Sequence, residues 1–519
     1  MAKTAAGRYS QLEMARQPFL DRARDAAKLT IPSLLPPMGT TGSMKLPTPF
    51  QGLGARGVNN LASKLLLTLF PPNSPFFRLL IDDFMLEKLT QKKGMRAEVE
   101  KALAMIERTV MTEIESRAYR VSAFEALKQL IVAGNVLLYL PKDGKMKSFR
   151  LDRFVAKRDP MGNPIEYITK ETLAPDTLPD EFVKSLSGQS KETVDRARSA
   201  DKTLDLYTHI TLKGRHWVVY QEVAGVKVPG TSGTFPKDKC PWIALRFTQI
   251  DGEDYGRGYV EEYYGDLRSL EVLTKAIVEG SAAAAKVLIL VNPNGTTNKK
   301  VVAEAPSGAV RSGDAKDVTV LQLDKYADFR IAKETMSEIG QRLAFAFLLN
   351  TAIQRGGERV TAEEIRFMAS ELEDALGGVY SILSLEFQLP VVNRTMAVLE
   401  ASGRLPTLPK GTVKPAITTG LEALGRGHDL NKLDLLLGRL QPLGGDVIQT
   451  YLNVGDYISR AGTALGIDMA GLVRTEEEVQ QTRQQAMMQQ MMQQALPGGM
   501  QIARDQLDPS NQQPRKDNP

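Results

Sequence analysis

Gly52, Gly54 and Gly57 spell G-x-G-x-x-G, the spacing with which a strand-to-helix turn cradles a dinucleotide pyrophosphate. That chemistry needs a buried strand ahead of the turn, whereas the residues here include Pro47 and Pro49, and no βαβ unit follows. The glycines therefore read as a flexible connector entering a helix. No G-x-x-x-x-G-K-[ST] loop occurs, so a P-loop motor is not expected. The three histidines, His209, His216 and His428, lack metal-ligand spacing; His209 and His216 fall on paired strands of one hairpin and read as sheet surface residues. Asp82 with Asp83, and Asp251 with Glu253 and Asp254, are groupings that metal-assisted phosphoryl chemistry would use, but solvated loop charge is the commoner role of such clusters. No G-x-S-x-G elbow and no catalytic Cys-His grouping is visible. Cys240 stands by itself, which excludes an internal disulfide and a Cys-based zinc site, suits a reducing compartment and reads as a small buried hydrophobe.

The most informative polar group is a loop. Between Asn350 and Val360, Gln354, Arg355, Glu358 and Arg359 surround the glycine pair Gly356 and Gly357, with long helices on either side. Such a loop moves independently of its supports, and alternating signs let it touch a phosphate backbone without clamping it; the plain alternative is a solvent-exposed helix connection. Lys275 and Lys286 are about three turns apart and share one helix face, which a solvated surface explains equally well. A net charge of +5 spread over 66 basic and 61 acidic side chains gives no blanket positive field of the kind that drives tight, salt-sensitive phosphate binding. Charge alone neither proves nor excludes DNA as a partner.

The elements that must position these groups follow from periodicity. With 519 residues at 42% apolar, the chain is long enough for two to four domains. Lys3 and Arg8 are followed by no apolar run, so no secretory signal is expected, and the apolar stretch Leu65–Phe77 is cut by Pro71, Pro72 and Pro75, too short to span a membrane. Gln11–Leu29 and Val58–Phe70 have helical spacing, separated by a Pro-, Gly- and Thr-rich connector. Arg96–Ala133 repeats at helical intervals, with a second helix starting near Ser122. Three hairpins follow: Val136–Leu140 with Met146–Leu151, Phe154–Lys157 with Ile165–Thr169, and, after a polar helical stretch, Leu204–Leu212 with His216–Glu222. The fold class is α+β, mainly helical, with an antiparallel sheet on helices.

A long helix then runs from Gly258 to Lys286 with the apolar stripe Tyr263, Leu267, Leu270 and Ile277, and Ala282–Ala285 offers a smooth surface for close approach. Val287–Val291, Lys300–Glu304 and Val318–Leu323 read as strands of an insert. Asp328–Asn350 returns as a helix with Met336, Ile339 and Leu343 inward and Arg330, Lys333, Glu334 and Glu338 outward. Thr361 and Glu364 form a capping box for a third helix whose positions Ile365, Leu372, Leu376, Val379 and Leu383 nearly follow a heptad, with a bend expected at Pro390. Leu421–Val473 reads as a small helical domain; Thr475 and Glu478 cap a Gln- and Met-rich helix, and the tail beyond Pro497 is polar. A helix pair that buries only one stripe per helix makes a stalk rather than a pocket and needs copies beside it.

Three segments, ARGVNNLASKLLLTLFPPNSPFFRL from Ala55, GERVTAEEIRFMASELEDALGGVYSILS from Gly357 and TGLEALGRGHDL from Thr419, carry a resemblance that covers nearly the whole chain. The sequence resembles the portal, or head-to-tail connector, proteins of short-tailed, podovirus-type bacteriophages. The resemblance implies a dodecameric ring at one capsid vertex in the virion, assembled in the host cytoplasm, through which double-stranded DNA is packaged, retained and ejected without sequence readout. It implies a wing at 1–257, stem helices at 258–286 and 328–349, a clip at 287–327, a tunnel loop at 350–360 and a long wing helix with connector at 361–420. A crown at 421–474, a C-terminal barrel helix at 475–496 and a disordered tail at 497–519 complete that scheme. Gln354, Arg355, Gly356, Gly357, Glu358 and Arg359 are then channel-loop residues, with Lys275, Lys286, Arg330 and Lys333 as channel-lining candidates on the stem. The implied partners are a packaging ATPase (the terminase large subunit), a tail adaptor, and scaffolding, capsid and internal core proteins; no enzyme activity, cofactor, metal or membrane is implied. Two rivals remain at this level: a structural capsid or tail component without a channel, and a metal-dependent DNA-processing enzyme.

Overall fold

Helix α1 (Ala5–Lys28) starts where the Thr4 hydroxyl accepts from the Gly7 amide at 3.1 Å. The buried Glu222 carboxylate accepts from Ala5 and Ala6 at 2.8 and 3.1 Å, so an anion from a distant strand satisfies two amides the helix leaves open. Further along, the buried Arg16 guanidinium donates to the Tyr9 hydroxyl and to the carbonyls of Leu151 and Phe154, tying α1 to the chain entering the sheet. The computed structural model describes residues 4–72, 75–81, 95–284, 288–321, 326–349, 371–372, 375–406, 413–417 and 435–440, and single positions 442, 455, 457, 458, 484, 485 and 488.

The chain divides into two units, Met1–Leu421 and Glu422–Pro519. In the first, α2 (Leu53–Leu69) buries Val58, Leu61, Ala62, Leu65 and Leu69 completely and packs on α4. After β1 (Phe77–Ile81) come α3 (Met95–Ser116) and α4 (Tyr119–Ala133). Strands β2 (Asn135–Tyr139), β3 (Lys147–Phe149), β4 (Phe154–Arg158) and β5 (Pro164–Leu173) lead to helices α5 (Asp180–Ser185) and α6 (Gly188–Ser199). Then follow β6 (Leu204–Lys213), β7 (His216–Val223), β8 (Val226–Lys227), β9 (Gly233–Pro236) and β10 (Trp242–Arg246). Every pairing among the described strands is antiparallel: β10-β2-β3 forms one sheet and β4-β5-β6-β7-β8, with β9 beside β7, another. The helices α7 (Tyr259–Glu262) and α8 (Tyr264–Ala284), strand β11 (Leu288–Val291), helix α9 (Lys299–Ala303), strand β12 (Val318–Leu321) and helix α10 (Tyr326–Ala346) come next. Last are α11 (Gly378–Leu383), a π-helical segment (Ser384–Gln388), α12 (Leu389–Ala401) and β13 (Val413–Ile417), which pairs with β1.

The three predicted hairpins are present, and the fold mixes helix and antiparallel strand as expected. Several boundaries differ, each for a local reason. Lys300–Glu304, which the pattern assigns to a strand, instead fall on α9 and its C-cap Glu304, because the Asn298 side chain caps Lys300 N at 3.0 Å. Helix α2 begins at Leu53 rather than Val58, since the Gln51 side-chain carbonyl accepts from Gly54 N at 2.8 Å. The helix expected without interruption from Gly258 breaks at Tyr263, and the heptad helix breaks at Gly377, whose φ of 55° is left-handed. Leu372, Leu376 and Leu383 are nevertheless buried and Val379 packs against the core, as the heptad predicts; Ile365 lies outside the described residues. Pro390, where a bend is expected, sits in the first turn of α12 directly after the π segment, whose wider turn accommodates a ring that would clash with a regular helix. Of the regions assigned to 421–519, only 435–440, helical, and the single positions above are described.

His209 departs from the surface role expected of it. Its Nε2 lies 2.8 Å from Glu166 Oε1, its Nδ1 lies 2.8 Å from the Tyr220 hydroxyl, and Arg8 forms an ion pair with Glu166 at 2.8 Å. Burial works to raise the Glu166 pKa, but hydrogen bonds from His209 and Arg8 outweigh it and bring the carboxyl down to about 2. A depressed carboxyl pKa contributes stability that is complete above its unfolded value near 4.5 and is lost as pH falls toward 2. Acid titration of the wild-type chain should therefore lose stability across that window, and Glu166→Gln should lose stability at neutral pH while flattening the acid limb; an unchanged limb in denaturant melts would remove Glu166 from the acid response.

Candidate functional site: a helix pair and its footing

Helices α8 and α10 pack against each other and carry the antiparallel β11-β12 ribbon between them in sequence. Their shared core is confined to one end. Leu267 and Leu270 on α8, and Ile339, Leu343 and Ala346 on α10, are buried. Among the described side chains, no α8 residue beyond Leu270 and no α10 residue before Ile339 is buried, so α8 extends about 20 Å past its last core residue. The predicted inward positions Ile277 and Met336 are only half-buried there, and the predicted outward set Arg330, Lys333, Glu334 and Glu338 is exposed. The pair is held by close approach, since a Cβ on Gly280 would come within 2.7 Å of the Phe329 ring, and by the Arg342–Asp266 ion pair at 3.0 Å. Large apolar groups face outward: Val272 is 59% exposed, Val278 50%, Ile331 61% and Phe345 75%, followed on the ribbon by Ile289 and Leu290.

The buried end of the pair stands on aromatic rings and on α2. Tyr259, Tyr263 and Phe347 form a triangle with centroid separations of 5.1, 5.7 and 6.0 Å, and the Tyr259 hydroxyl donates to the Ala346 carbonyl at 2.9 Å. Phe347 lies directly over Gly57, where a Cβ would meet its ring at 2.5 Å; Gly54 approaches the Leu29 carbonyl as closely. Two glycines of the literal dinucleotide spacing thus serve close helix packing. The end of α10 is a Schellman turn, with Leu349 N donating to Ala344 O at 2.7 Å and Leu348 N to Phe345 O at 3.0 Å. Its left-handed position, usually glycine, is Leu348 with φ 54°, a conformation costing about 1–2 kcal/mol that tertiary contacts must offset. Asn60 supplies them: its amide donates to the carbonyls of Phe347 and Leu348 at 2.9 and 3.0 Å. Lys64 donates to the Leu348 carbonyl at 3.1 Å and pairs with Glu371 at 2.9 Å.

Of the residues singled out in the sequence, Lys275 is exposed on α8, with Glu279 at 3.9 Å and the Phe50 ring at 5.9 Å, while Arg330 and Lys333 are exposed on α10. Lys286 and the loop residues Gln354, Arg355, Gly356, Gly357, Glu358 and Arg359 lie outside the described residues, as do His428, Asp82 and Asp83. Glu253 pairs with Arg257 at 2.8 Å and Asp254 accepts from the Arg158 amide at 2.7 Å; among the described residues no group of three or more His, Cys, Asp or Glu side chains is placed to hold a metal. Cys240 is buried, and burial pushes its thiol up to about 12, in keeping with a structural role. Asn60, Lys64 and Glu371 were not singled out. Their signal was present in the spacing Gly57, Asn60, Lys64, which sets one small and two polar residues along a single helix face.

The chain matches the family described as bacteriophage head to tail connecting protein over residues 2–473. It is 47% identical over 483 residues to the portal protein of Escherichia phage T7, covering 91% of this chain and 88% of that protein. To the portal protein of Enterobacteria phage T3 it is 45% identical over 481 residues, with the same coverage. Among solved structures it is similar to a chain from the neck of a native GTA particle computed with C12 symmetry, at 9% identity and a TM-score of 0.33, covering 74% of this chain and 85% of that one.

If Gly57 exists to admit the Phe347 ring, Gly57→Ala overpacks the footing and should cost about 1–3 kcal/mol in chemical denaturation. Adding Phe347→Leu to that variant should recover part of the loss; a Gly57→Ala protein as stable as wild type would contradict the close contact.

Proposed function

The chain belongs to the bacteriophage head to tail connecting protein family, and on that premise we propose that it assembles into a ring, a dodecamer by family likeness, around a bore for double-stranded DNA at one capsid vertex. The observation that carries this reading is the helix pair whose shared core stops at one end. Past Leu270, α8 has no buried side chain among those described, while Val272, Val278, Ile331 and Phe345 face outward. Burying one such side chain stabilises by about 1.5–3 kcal/mol, and copies standing side by side supply that burial without closing a pocket.

In this reading α8 and α10 are the stem, the β11-β12 ribbon with α9 is the clip that meets a packaging ATPase and then a tail adaptor, and the sheets with α1–α4 are the wing. The 350–360 segment is the channel-facing loop, with Arg355 and Arg359 as transient phosphate contacts and Gly356 and Gly357 as the hinge. Lys275, Lys286, Arg330 and Lys333 are weaker channel candidates. Residues 421–474 make a crown and 475–496 a barrel helix, facing scaffolding, capsid or internal core proteins. The role is a conduit's: each persistent phosphate contact makes DNA association tighter and more salt-dependent, so a bore through which a genome slides carries few, reads no sequence and takes its energy from a separate motor. No helix among the described residues is long and apolar enough to cross a membrane.

Placing charge on the outward stripe tests the ring directly. The double variant Val278→Glu/Ile331→Glu should keep its circular dichroism yet sediment as monomer, and undiminished assembly would place the stripe elsewhere than an interface between copies. For the loop, Arg355→Ala with Arg359→Ala should leave rings intact and reduce packaged or retained DNA; virions of normal yield and DNA content would remove these residues from the channel.

A further inference from the structure

Helices α8 and α10 run antiparallel, and three contacts fix their relative height: Asp266 with Arg342 at 3.0 Å, the Thr274 hydroxyl with the Met336 sulfur at 3.9 Å, and Gly280 against the Phe329 ring. Each residue forward on α8 is matched by one backward on α10, which sets Lys275 level with Glu334, and Gly265 level with the turn that holds Phe345. At about 100° per residue, Arg268, Val272 and Lys275 fall on one face of α8, and Ile331, Glu334, Glu338 and Phe345 on one face of α10. All seven are exposed, on sides of the pair that the two helices do not give to each other. The faces are unlike. That of α8 sets two cations around Val272 and begins at Gly265, where an added Cβ would meet nothing within 4 Å; that of α10 sets two carboxylates between the large side chains of Ile331 and Phe345. Among the described residues Arg268, Glu334 and Glu338 form no ion pair within the chain, and Lys275 has Glu279 of its own helix at 3.9 Å with both side chains more than half exposed.

We infer that the α10 face of one copy docks on the α8 face of the next, with Glu334 opposite Lys275 of the partner subunit. Two α10 faces brought together would oppose carboxylate to carboxylate, whereas unlike faces on the two sides of one pair join head to tail and repeat until the copies close. This seam rests on the ring reading, because rotation about a common axis keeps every copy at one height and so brings groups that are level within a pair level between pairs. It assigns Lys275 to the contact between copies rather than to the bore.

The test compares assembly of the full chain carrying Lys275→Glu, Glu334→Lys, or both. Each single reversal sets like charges across every seam and should raise the concentration at which half the protein is assembled about tenfold or more; the double variant, with the pair turned round, should return to within about threefold of wild type. A second readout does not depend on charge. Assembled Lys275→Cys/Glu334→Cys protein should give, on mild oxidation, a ladder of covalent oligomers on a denaturing gel, while either cysteine alone should run as monomer; Cys240 is buried and does not compete. Single reversals that assemble like wild type, a double variant as weak as the singles, or paired-cysteine rings that run as monomer would each overturn the seam, and wild-type rings seen by imaging would leave the ring reading standing. Wild-type protein that forms no ring at any concentration removes that reading and the seam together.

Discussion

Two long helices share a core at one end and, among the described side chains, bury none along the rest of their length. This constraint organises the chain. At the footing, Leu267, Leu270, Ile339 and Leu343 are buried against each other and the body, and the aromatic triangle of Tyr259, Tyr263 and Phe347 locks the base. Toward the ribbon, the helices touch through Gly280 and Phe329 but leave Val278 and Ile331 to solvent. An isolated rod of this kind gains little from folding, because most helical stability in proteins comes from packing an apolar face. In the proposed ring, copies standing side by side would cover these exposed groups while keeping the centre open.

The body's task is then to hold the helix pair by its buried end. Helix α2 does most of this work, with one face buried on the core and another that carries Gly57, Asn60 and Lys64 against the end of α10. The polar groups are placed where the backbone is strained, at the left-handed Leu348. Elsewhere the same economy appears in the Glu222 carboxylate capping α1 and in the π segment, where Gln388 donates to the Leu69 carbonyl and Glu386 pairs with Arg246 at 3.3 Å. Each joins distant parts of the sequence through a buried or half-buried polar contact.

Periodicity made the long elements and the hairpins legible, because the apolar stripes of α2, α8 and α10 and the turn residues between strands are local signals. What escaped it was non-local. The pairing of β1 with β13 joins Phe77 to Ile417 and leaves no trace in either segment, and β10 was not distinguishable as a partner of β2. The end of α10 was unreadable because its left-handed position holds Leu348 in place of glycine, and α9 was misread because five residues are too few for period two and period 3.6 to diverge. Of the candidate site, Lys275, Arg330 and Lys333 fall on the exposed faces expected of them, whereas Asn60 and Lys64 were hidden in a segment whose family likeness was evident but whose polar face had no visible partner until Leu348 and Glu371 arrived beside it.

The central claim is that these rods complete their burial around an open bore. Electron imaging of the purified full-length protein at assembly concentration tests it most directly. The account predicts closed rings with an axial hole wide enough for duplex DNA, walled by the α8 and α10 pairs of successive copies. A folded monomer that persists at high concentration, or an assembly whose centre is filled by protein, would contradict it.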